Sequence, residues 1–345
     1  PKVREQNHKL KQTKSDINRS IDQSQRNTAQ QISMSTIVII GATGAQGGGV
    51  ARAIVADSKD KYGFASTIKL ASRSSPDSES SQALVASLPG TMAVQVDLND
   101  KESVLTAFQG ADAVFGTFNY WATLATVGYD ETKAVEIEIQ QGKNVVDAAK
   151  EAGVKHVVLS TLEDVETNTK GKLHSWHFTA KGRIETYAKE QGIPYTFVRY
   201  AFYFQNFGTF FNADEEGNFH LPMRDHVLDA VDTEDAGKAI AKIFQQGPSV
   251  WAGKEIGLAS DSRPVQEYLD ILNEVKKDGV KRKYVAIDWV EMAKNPAAKD
   301  LAEMFNYYTD YDEVCVRDVA ATKALYPGLR DFREYAIAAM EAGKL

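Results

Sequence analysis

The sequence predicts a doubly wound α/β fold with a parallel sheet, followed by a smaller C-terminal α+β lobe. Between Ser35 and Tyr200, short β-branched apolar runs alternate with stretches whose apolar residues recur at helical spacing. Repeated strand–helix units of this length form parallel sheets covered on both faces, through right-handed crossovers. After Tyr200 the alternation loosens, which indicates a second lobe built onto the first.

Each element follows from this pattern. The predicted strands of the sheet run over 36–41, 67–72, 93–97, 113–118, 156–160 and 195–199. The predicted helices of this part reach 57 after the first strand and cover 130–152 and 179–191. Beyond residue 200 the pattern predicts a strand over 253–259 and helices near 234–246, 265–276, 289–308 and 317–342.

Composition limits the class of protein. The 345 residues are 43% hydrophobic and 25% charged, which is typical of a globular protein with a sizeable core. No apolar run approaches the roughly 20 residues that span a bilayer, so we expect no membrane partner. The single cysteine, Cys315, cannot form an internal disulfide and is expected to be a small buried apolar residue. A reducing compartment follows: we expect a cytoplasmic protein, with the nucleus left open.

The first 33 residues differ from the rest. They are rich in Gln, Asn, Ser and Lys and poor in large apolar groups, so we expect a disordered N-terminal extension. The sequence leaves open whether this extension belongs to the natural protein. They hold seven Lys/Arg and three Asp/Glu, a net of +4, which leaves −11 for the rest of a chain whose net charge is −7. This acidic remainder argues against direct binding of nucleic acid through a basic face.

A glycine-rich turn after the first strand carries the strongest functional signal. Gly41, Gly44 and Gly47 have the spacing G-x-x-G-x-x-G between a β-branched run and a helical stretch. Glycine lets the backbone turn sharply and approach a diphosphate, and the new helix directs free N–H groups at the anion. The context of strand, turn and helix therefore predicts a Rossmann-type dinucleotide site. Its loop would include Thr43, Ala45 and Gln46.

The end of the second strand indicates which dinucleotide binds. NAD-binding sheets place a carboxylate there, whereas this chain has Arg73 with neighbouring serines. A guanidinium suits the 2′-phosphate of NADP(H), which a carboxylate would repel. Arg73 as an ordinary solvated arginine is the alternative. Asp97 and Leu98 would flank the adenine, unless Asp97 only caps the following helix.

Together, these residues make the chain resemble the NmrA-like family of atypical short-chain dehydrogenases, and most of all its NADPH-sensor members. The similarity runs from about 36 to 332. The segments that carry it are Gly41-Ala-Thr-Gly-Ala-Gln-Gly-Gly48, Asn119-Tyr120-Trp121, His177-Phe-Thr-Ala-Lys181, Tyr203-Phe-Gln-Asn206 and Ala298-Lys-Asp-Leu-Ala-Glu-Met-Phe305.

The resemblance implies an NADP(H)-binding protein whose family members act as redox-responsive regulators of other proteins. It assigns the diphosphate to the glycine loop and the nicotinamide ribose to Lys181. It also implies cofactor contacts on the nicotinamide side and over the cofactor, from Phe118, Asn119, Tyr120, Tyr203, Phe204, Gln205 and Asn206. The surrounding aromatic run from Tyr200 to Phe211 fits either a cofactor wall or ordinary core.

Catalysis is the open question. Short-chain dehydrogenases protonate the carbonyl oxygen with the tyrosine of a Tyr-x-x-x-Lys pair. The literal match, Tyr129 with Lys133, precedes the long helix and is best interpreted as a helix start. At the proper place the chain has His177 with Lys181. His177 could donate a proton near neutral pH or merely line the pocket. With His174 it has no further ligand at metal spacing, so no metal is expected.

The resulting prediction has three parts. Residues 1–33 form the extension, 34–200 the NADP(H)-binding domain, and 201–345 the lobe for substrate or partner. The favoured function is a redox sensor or regulator that acts through an unidentified protein partner and lacks the usual catalytic tyrosine. The alternative is an active NADPH-dependent oxidoreductase of quinones or small carbonyl or ether compounds, with Lys181 and His177 as catalytic candidates. A homodimer is left open.

Overall fold

A computed structural model describes residues 34–59, 65–315 and 317–345 of the chain. The predicted disorder of residues 1–33 lies outside the described residues. Residues 34–345 form one compact unit.

Twelve strands are found among the described residues. They are β1 Thr36–Ile40, β2 Thr67–Ser72, β3 Thr91–Gln95, β4 Ala113–Gly116, β5 His156–Ser160, β6 Tyr195–Tyr200, β7 Phe202–Tyr203, β8 Asn218–Leu221, β9 Val227–Val231, β10 Lys254–Leu258, β11 Asp261–Pro264 and β12 Lys283–Ala286. Seven of them make one parallel sheet in the order β3-β2-β1-β4-β5-β6-β10. The order reverses between β1 and β4, so the crevice above their carboxyl ends is the expected ligand site. The predicted α/β fold class and its first six strands are confirmed.

Helices cover both faces of this sheet, as continuous apolar strands require. The described α-helices are α1 Ala45–Lys59, α2 Glu79–Ser87, α3 Lys101–Phe108, α4 Tyr120–Thr126, α5 Glu131–Glu151, α6 Val165–Asn168, α7 Trp176–Gln191, α8 Thr233–Gln246, α9 Pro248–Trp251, α10 Val265–Lys276, α11 Trp289–Ala293, α12 Lys299–Asp310, α13 Val319–Leu325 and α14 Phe332–Glu341. One apolar cluster joins the sheet to α1 and α8, and another joins its opposite face to α3, α5 and α7.

The remaining strands form two small sheets, β11-β9-β7 and β12-β8, with α10 to α12 and α14 around them. Their core is aromatic. The rings of Phe207 and Phe332 lie 5.0 Å apart between centroids, and Tyr268 contacts both at 5.1 and 4.9 Å. This is the smaller α+β lobe that the sequence predicts.

The predicted boundary at residue 200 does not separate the first sheet and its helices from the rest of the chain. The segment that holds α8 and β10 comes later in sequence, yet β10 extends the first sheet beside β6 and α8 packs on α1. The two helices meet backbone to backbone, because a Cβ on Gly237 would lie 2.3 Å from the carbonyl carbon of Gly49. The helix that begins at the glycine turn, α1, is therefore held in place by close packing against α8.

Two predicted helices are each broken. The stretch 289–308 becomes α11, a 3-10 turn at Pro296–Ala298 and α12, and the stretch 317–342 becomes α13 and α14 on either side of Pro327. Proline lacks an N–H and clashes with the preceding helical turn. Among the described residues, none of the helices is long and apolar enough to cross a membrane.

Candidate functional site

The glycine-rich turn connects β1 to α1. Gly41 has a φ of +71°, which L side chains rarely adopt, and its carbonyl accepts a hydrogen bond from the N–H of Gly44 at 2.8 Å. A Cβ on Gly47 would lie 2.3 Å from the Gly41 oxygen, so only glycine lets the helix start this close to the strand. The observed spacing of glycines therefore has a steric cause at two of its three positions.

The tip of this turn is accessible. Thr43, Gly44 and Ala45 are exposed, and the first turn of α1 holds no acidic side chain. The unpaired N–H groups and positive end of a 15-residue helix thus meet solvent at the carboxyl edge of the sheet. A phosphate or diphosphate fits the charge of this exposed turn.

Gln46 connects the turn to two other segments at the same edge. Its Nε2 donates to the hydroxyl of Tyr203 at 2.6 Å, and its Oε1 accepts from Oγ1 of Thr117 at 2.8 Å. Thr117 follows β4, and Tyr203 follows β6. Burial raises the pKa of Tyr203, which therefore stays protonated. These contacts bring Gln46 and Tyr203, two predicted residues that are far apart in sequence, together with Thr117.

The adenosine side is open. Arg73 is exposed after β2, and within the described residues its guanidinium makes no hydrogen bond or ion pair, while its carbonyl accepts from Gln95 Nε2 at 3.2 Å. Asp97 is also exposed and accepts from the N–H of Asn99 at 2.9 Å. Helix α3 is capped by Asp100, so the alternative that Asp97 caps it is wrong. The carbonyl of Leu98 accepts from Asn144 Nδ2 at 2.8 Å.

The segment after β4 turns most of its side chains inward. Phe118 and Tyr120 are buried, whereas Asn119 is exposed and caps α4 by accepting from the N–H of Ala122 at 3.0 Å. Burial, with Asp300 nearby, raises the pKa of Tyr120 well above its ordinary value. Side-chain access for the predicted nicotinamide contacts is therefore largest at Asn119.

Lys181 lies in α7 and points at α5. Its Nζ donates to Oε1 of Glu138 at 2.6 Å and to the carbonyl of His177 at 3.1 Å. The Lys181 side chain is 11% exposed and that of Glu138 is 0% exposed. The lysine expected to meet the nicotinamide ribose is thus part of an enclosed ion pair.

His177 is bound to the second lobe. Its ring Nδ1 is hydrogen-bonded to Oδ2 of Asp300. The backbone N–H of His177 donates to Oδ1 of the same carboxylate at 3.3 Å. The ring of the partly exposed Trp121 lies 5.1 Å from the His177 ring between centroids. A carboxylate on Nδ1 sets the orientation of an imidazole, which leaves Nε2 as its second polar atom.

The start of α7 is capped from α12. Ser175 at the N-cap has a φ of +32° and gives no side-chain cap hydrogen bond. Instead, Oε2 of Glu303 accepts from the N–H groups of His174 and Ser175 at 2.6 and 2.9 Å. The N–H groups at the start of the helix that carries His177 and Lys181 are therefore satisfied by acids of the second lobe.

The segment after β6 is mostly core. Phe204 is fully buried against rings of the second lobe, so a cofactor contact there would need its backbone. Gln205 donates to Oδ1 of the buried Asp232 at 2.6 Å. Asn206 is partly exposed, and its carbonyl accepts from the N–H groups of Phe210 and Phe211. The aromatic run thus supplies core at Phe202, Phe204 and Phe207, and the side chain that reaches the glycine turn is Tyr203.

A cavity of about 100 Å³ lies beside this segment. It is lined by Ala201, Phe202, Met223, His226, Val227, Leu228, Asp229, Tyr308, Asp312, Cys315 and Arg317. Cys315 is half-buried, and burial raises the pKa of its thiol to about 12, so the thiol stays protonated at neutral pH. Arg317 forms a buried ion pair with Glu163, with Nη1 and Oε1 2.6 Å apart.

The remaining candidates have structural positions. Tyr129 is 70% exposed and precedes Asp130, which caps α5, so the literal Tyr-x-x-x-Lys match is a helix start. Across the described ranges, no group of three or more His, Cys, Asp or Glu side chains is placed to hold a metal ion.

Sequence reasoning did not select Thr117, Glu138, Asp300 or Glu303. Thr117 had a usable signal, because it is the first polar residue after a buried strand. Asp300 and Glu303 lie in the segment 298–305 that carries the family resemblance, although no role was assigned to them. Glu138 had no signal, since an acid on an amphipathic helix usually faces solvent.

The chain is similar to known proteins over most of its length. Residues 33–336 match the model of the NmrA-like family. The oxidoreductase notA of Aspergillus sp. is 30% identical over 275 residues, 74% of this chain and 76% of notA. The oxidoreductase FrzB of Cladobotryum sp. is 32% identical over 204 residues, but the match spans only 54% of this chain and 55% of FrzB.

Among solved structures, NmrA, a negative transcriptional regulator, in complex with NADP aligns with 90% of this chain and 97% of its own. The TM-score is 0.71 at 22% identity, which shows a shared fold. NmrA has also been solved with NAD. From the extent of the family match, the chain belongs to the NmrA-like family.

Proposed function

We propose that this protein binds NADP(H) and acts as a redox-responsive regulator through a protein partner. The observation that carries the proposal is the accessible, acid-free N-terminus of α1 at the point where the strand order reverses. Thr43 to Gln46 would hold the diphosphate. The exposed guanidinium of Arg73, which has no partner within the described ranges, would take the 2′-phosphate. The structure of NmrA in complex with NADP supports the binding of this dinucleotide.

The regulatory part of the proposal depends on the residues beside Lys181. The position of the usual tyrosine is taken by His177, whose ring is bound to Asp300. An imidazole is shorter than a phenol, and an acid misplaced by about 1 Å is inefficient. Bound nucleotide would instead order the segments after β4 and β6, which Gln46 already connects. A partner that prefers one of the two arrangements would then sense the nucleotide.

An NADPH-dependent reductase is the second candidate. It is favoured by the names of notA and FrzB, which are oxidoreductases, and by the presence of Lys181. The protein would then transfer hydride to quinones or small carbonyl or ether compounds. When bound, NADPH would supply that hydride, and Lys181 and His177 would orient the ribose and hold a proton.

One assay separates the two candidates. Purified protein is mixed with NADPH and a panel of quinones and enones, and the NADPH absorbance is followed. The regulator predicts tight nucleotide binding with no turnover above that of buffer. Steady NADPH oxidation that Lys181→Ala abolishes would establish the reductase instead.

A further inference from the structure

Lys181 has a partner that its sequence motif does not contain. Glu138 lies in α5, and its Oε1 is 2.6 Å from Lys181 Nζ, with both side chains almost fully enclosed. Removing one partner from such a buried pair leaves an uncompensated charge, which is strongly unfavourable. The position of the Lys181 ammonium therefore depends on Glu138.

A count of donors shows what the pair leaves over. A lysine ammonium has three N–H groups. One donates to Glu138 and a second to the carbonyl of His177 at 3.1 Å. These two acceptors lie on different helices and fix the position of Nζ from two directions. Among the residues that the structure describes, the third N–H has no acceptor, so it remains for an oxygen of a ligand.

Glu138 itself is out of reach of a ligand. It is 0% exposed, and its Oε2 has no hydrogen-bond partner among the described residues. The hydroxyl of Tyr120 is also enclosed and, among the residues that the structure describes, has no hydrogen-bond partner. The direct contact through which Glu138 can act on a ligand is therefore its hydrogen bond to Lys181.

We propose that Glu138 is a positioning residue, which holds the Lys181 ammonium so that its remaining N–H meets a hydroxyl oxygen of the nicotinamide ribose. This inference rests on the proposed binding of NADP(H). It predicts that the nicotinamide half of the cofactor depends on Glu138, whereas the adenosine half, bound near Arg73, does not.

The test uses two ligands and a double-mutant cycle. Calorimetry measures NADPH and adenosine 2′,5′-bisphosphate, which lacks the nicotinamide ribose, against wild type, Glu138→Gln, Lys181→Met and the double variant. Glu138→Gln should weaken NADPH about tenfold, as for one lost charge-assisted hydrogen bond, and leave the bisphosphate within about twofold. In the Lys181→Met background the same change should add less than about twofold. Glu136→Gln, on the exposed side of the same helix, is the matched control.

Each other outcome is decisive. Equal losses for both ligands would make Glu138 a purely structural residue, and a loss that persists in Lys181→Met would separate it from the lysine. Wild-type affinity in Glu138→Gln would also overturn the inference while leaving NADP(H) binding intact. Failure of the wild type to bind either ligand would instead refute the proposed function. If thermal unfolding shows that Glu138→Gln does not fold, Glu138→Asp replaces it, with a smaller loss expected for NADPH alone.

Discussion

The side-chain amide of Gln46 donates a hydrogen bond to the hydroxyl of Tyr203 at 2.6 Å, across 157 positions of sequence. Gln46 belongs to the first turn of α1, and Tyr203 follows β6. The same amide accepts from Thr117, so a single side chain connects three segments at the carboxyl edge of the sheet. This connection holds three walls of the candidate crevice together.

Tyr203→Phe tests whether that arrangement serves binding. The change removes the hydroxyl and leaves an amide donor of Gln46 unpaired, so we expect the Kd for NADPH to rise about threefold to tenfold. Tyr129→Phe, at an exposed position, should change nothing. Tighter binding by Tyr203→Phe would mean that the bridge closes the crevice and must open for the nucleotide.

Arg73→Asp tests the choice of cofactor. A carboxylate at this exposed position would repel a 2′-phosphate, so binding of NADPH and NADP⁺ should weaken by about 1–3 kcal/mol. NADH and NAD⁺ lack that phosphate and act as internal controls, with little change expected. Calorimetry of all four nucleotides gives the answer. Equal losses for both pairs would show that Arg73 does not read the phosphate.

The sequence was informative where local geometry restricts the residue type. Gly41 and Gly47 are required by a positive φ and by a close approach of backbone, and such constraints leave a spacing that can be recognised. The return of β10 to the first sheet left no comparable signal. Pairing between β10 and β6 is a long-range contact, and the strand itself has an ordinary composition.

The candidate site was also hard to predict, because most of its contacts join residues that are far apart in sequence. Lys181 could be placed because a motif surrounds it, whereas its partner Glu138 lies on another helix and is fully buried. Asp300 and Glu303 are also buried and lie near the start of α12. Acids are common at that end of a helix because they interact favourably with the helix dipole, so their presence in the sequence does not indicate a site. Their contacts to α7 exist only after the two lobes pack.

Glu303→Ala should destabilise the protein. It leaves the N–H groups of His174 and Ser175 without their acceptor at a buried helix start, so the free energy of unfolding should fall by about 2 kcal/mol. Urea denaturation gives the value, with exposed Glu341→Ala as a control expected within about 0.5 kcal/mol of wild type. A loss no larger than that of the control would mean that the cap contributes nothing.

The buried His156 should make the folded protein less stable in acid. Burial lowers its pKa from 6.5 to about 4, so the folded protein keeps the ring neutral over a range where the unfolded chain binds a proton. The stabilisation is therefore present above pH 6.5 and is lost as the pH falls toward 4, up to about 3 kcal/mol. Urea denaturation at several pH values measures this slope.

His156→Phe provides the control for that slope. Phenylalanine does not titrate, and Thr196 keeps its hydrogen bond to the carbonyl of Trp251 at 2.9 Å. Stability should fall less steeply between pH 6.5 and 4 in the variant than in the wild type. Parallel curves would assign the acid sensitivity to other groups.

The most direct test of the central claim places a negative charge at the start of α1. Ala45 is exposed there, so Ala45→Asp should leave the thermal stability unchanged or raised, because an acid suits a helix N-terminus. The same carboxylate would repel a bound diphosphate. Calorimetry should show that the wild type and Ala45→Ser bind NADPH, and that Ala45→Asp binds it at least about tenfold more weakly. No binding by the folded wild type, or equal binding by Ala45→Asp, would contradict a nucleotide site at this turn.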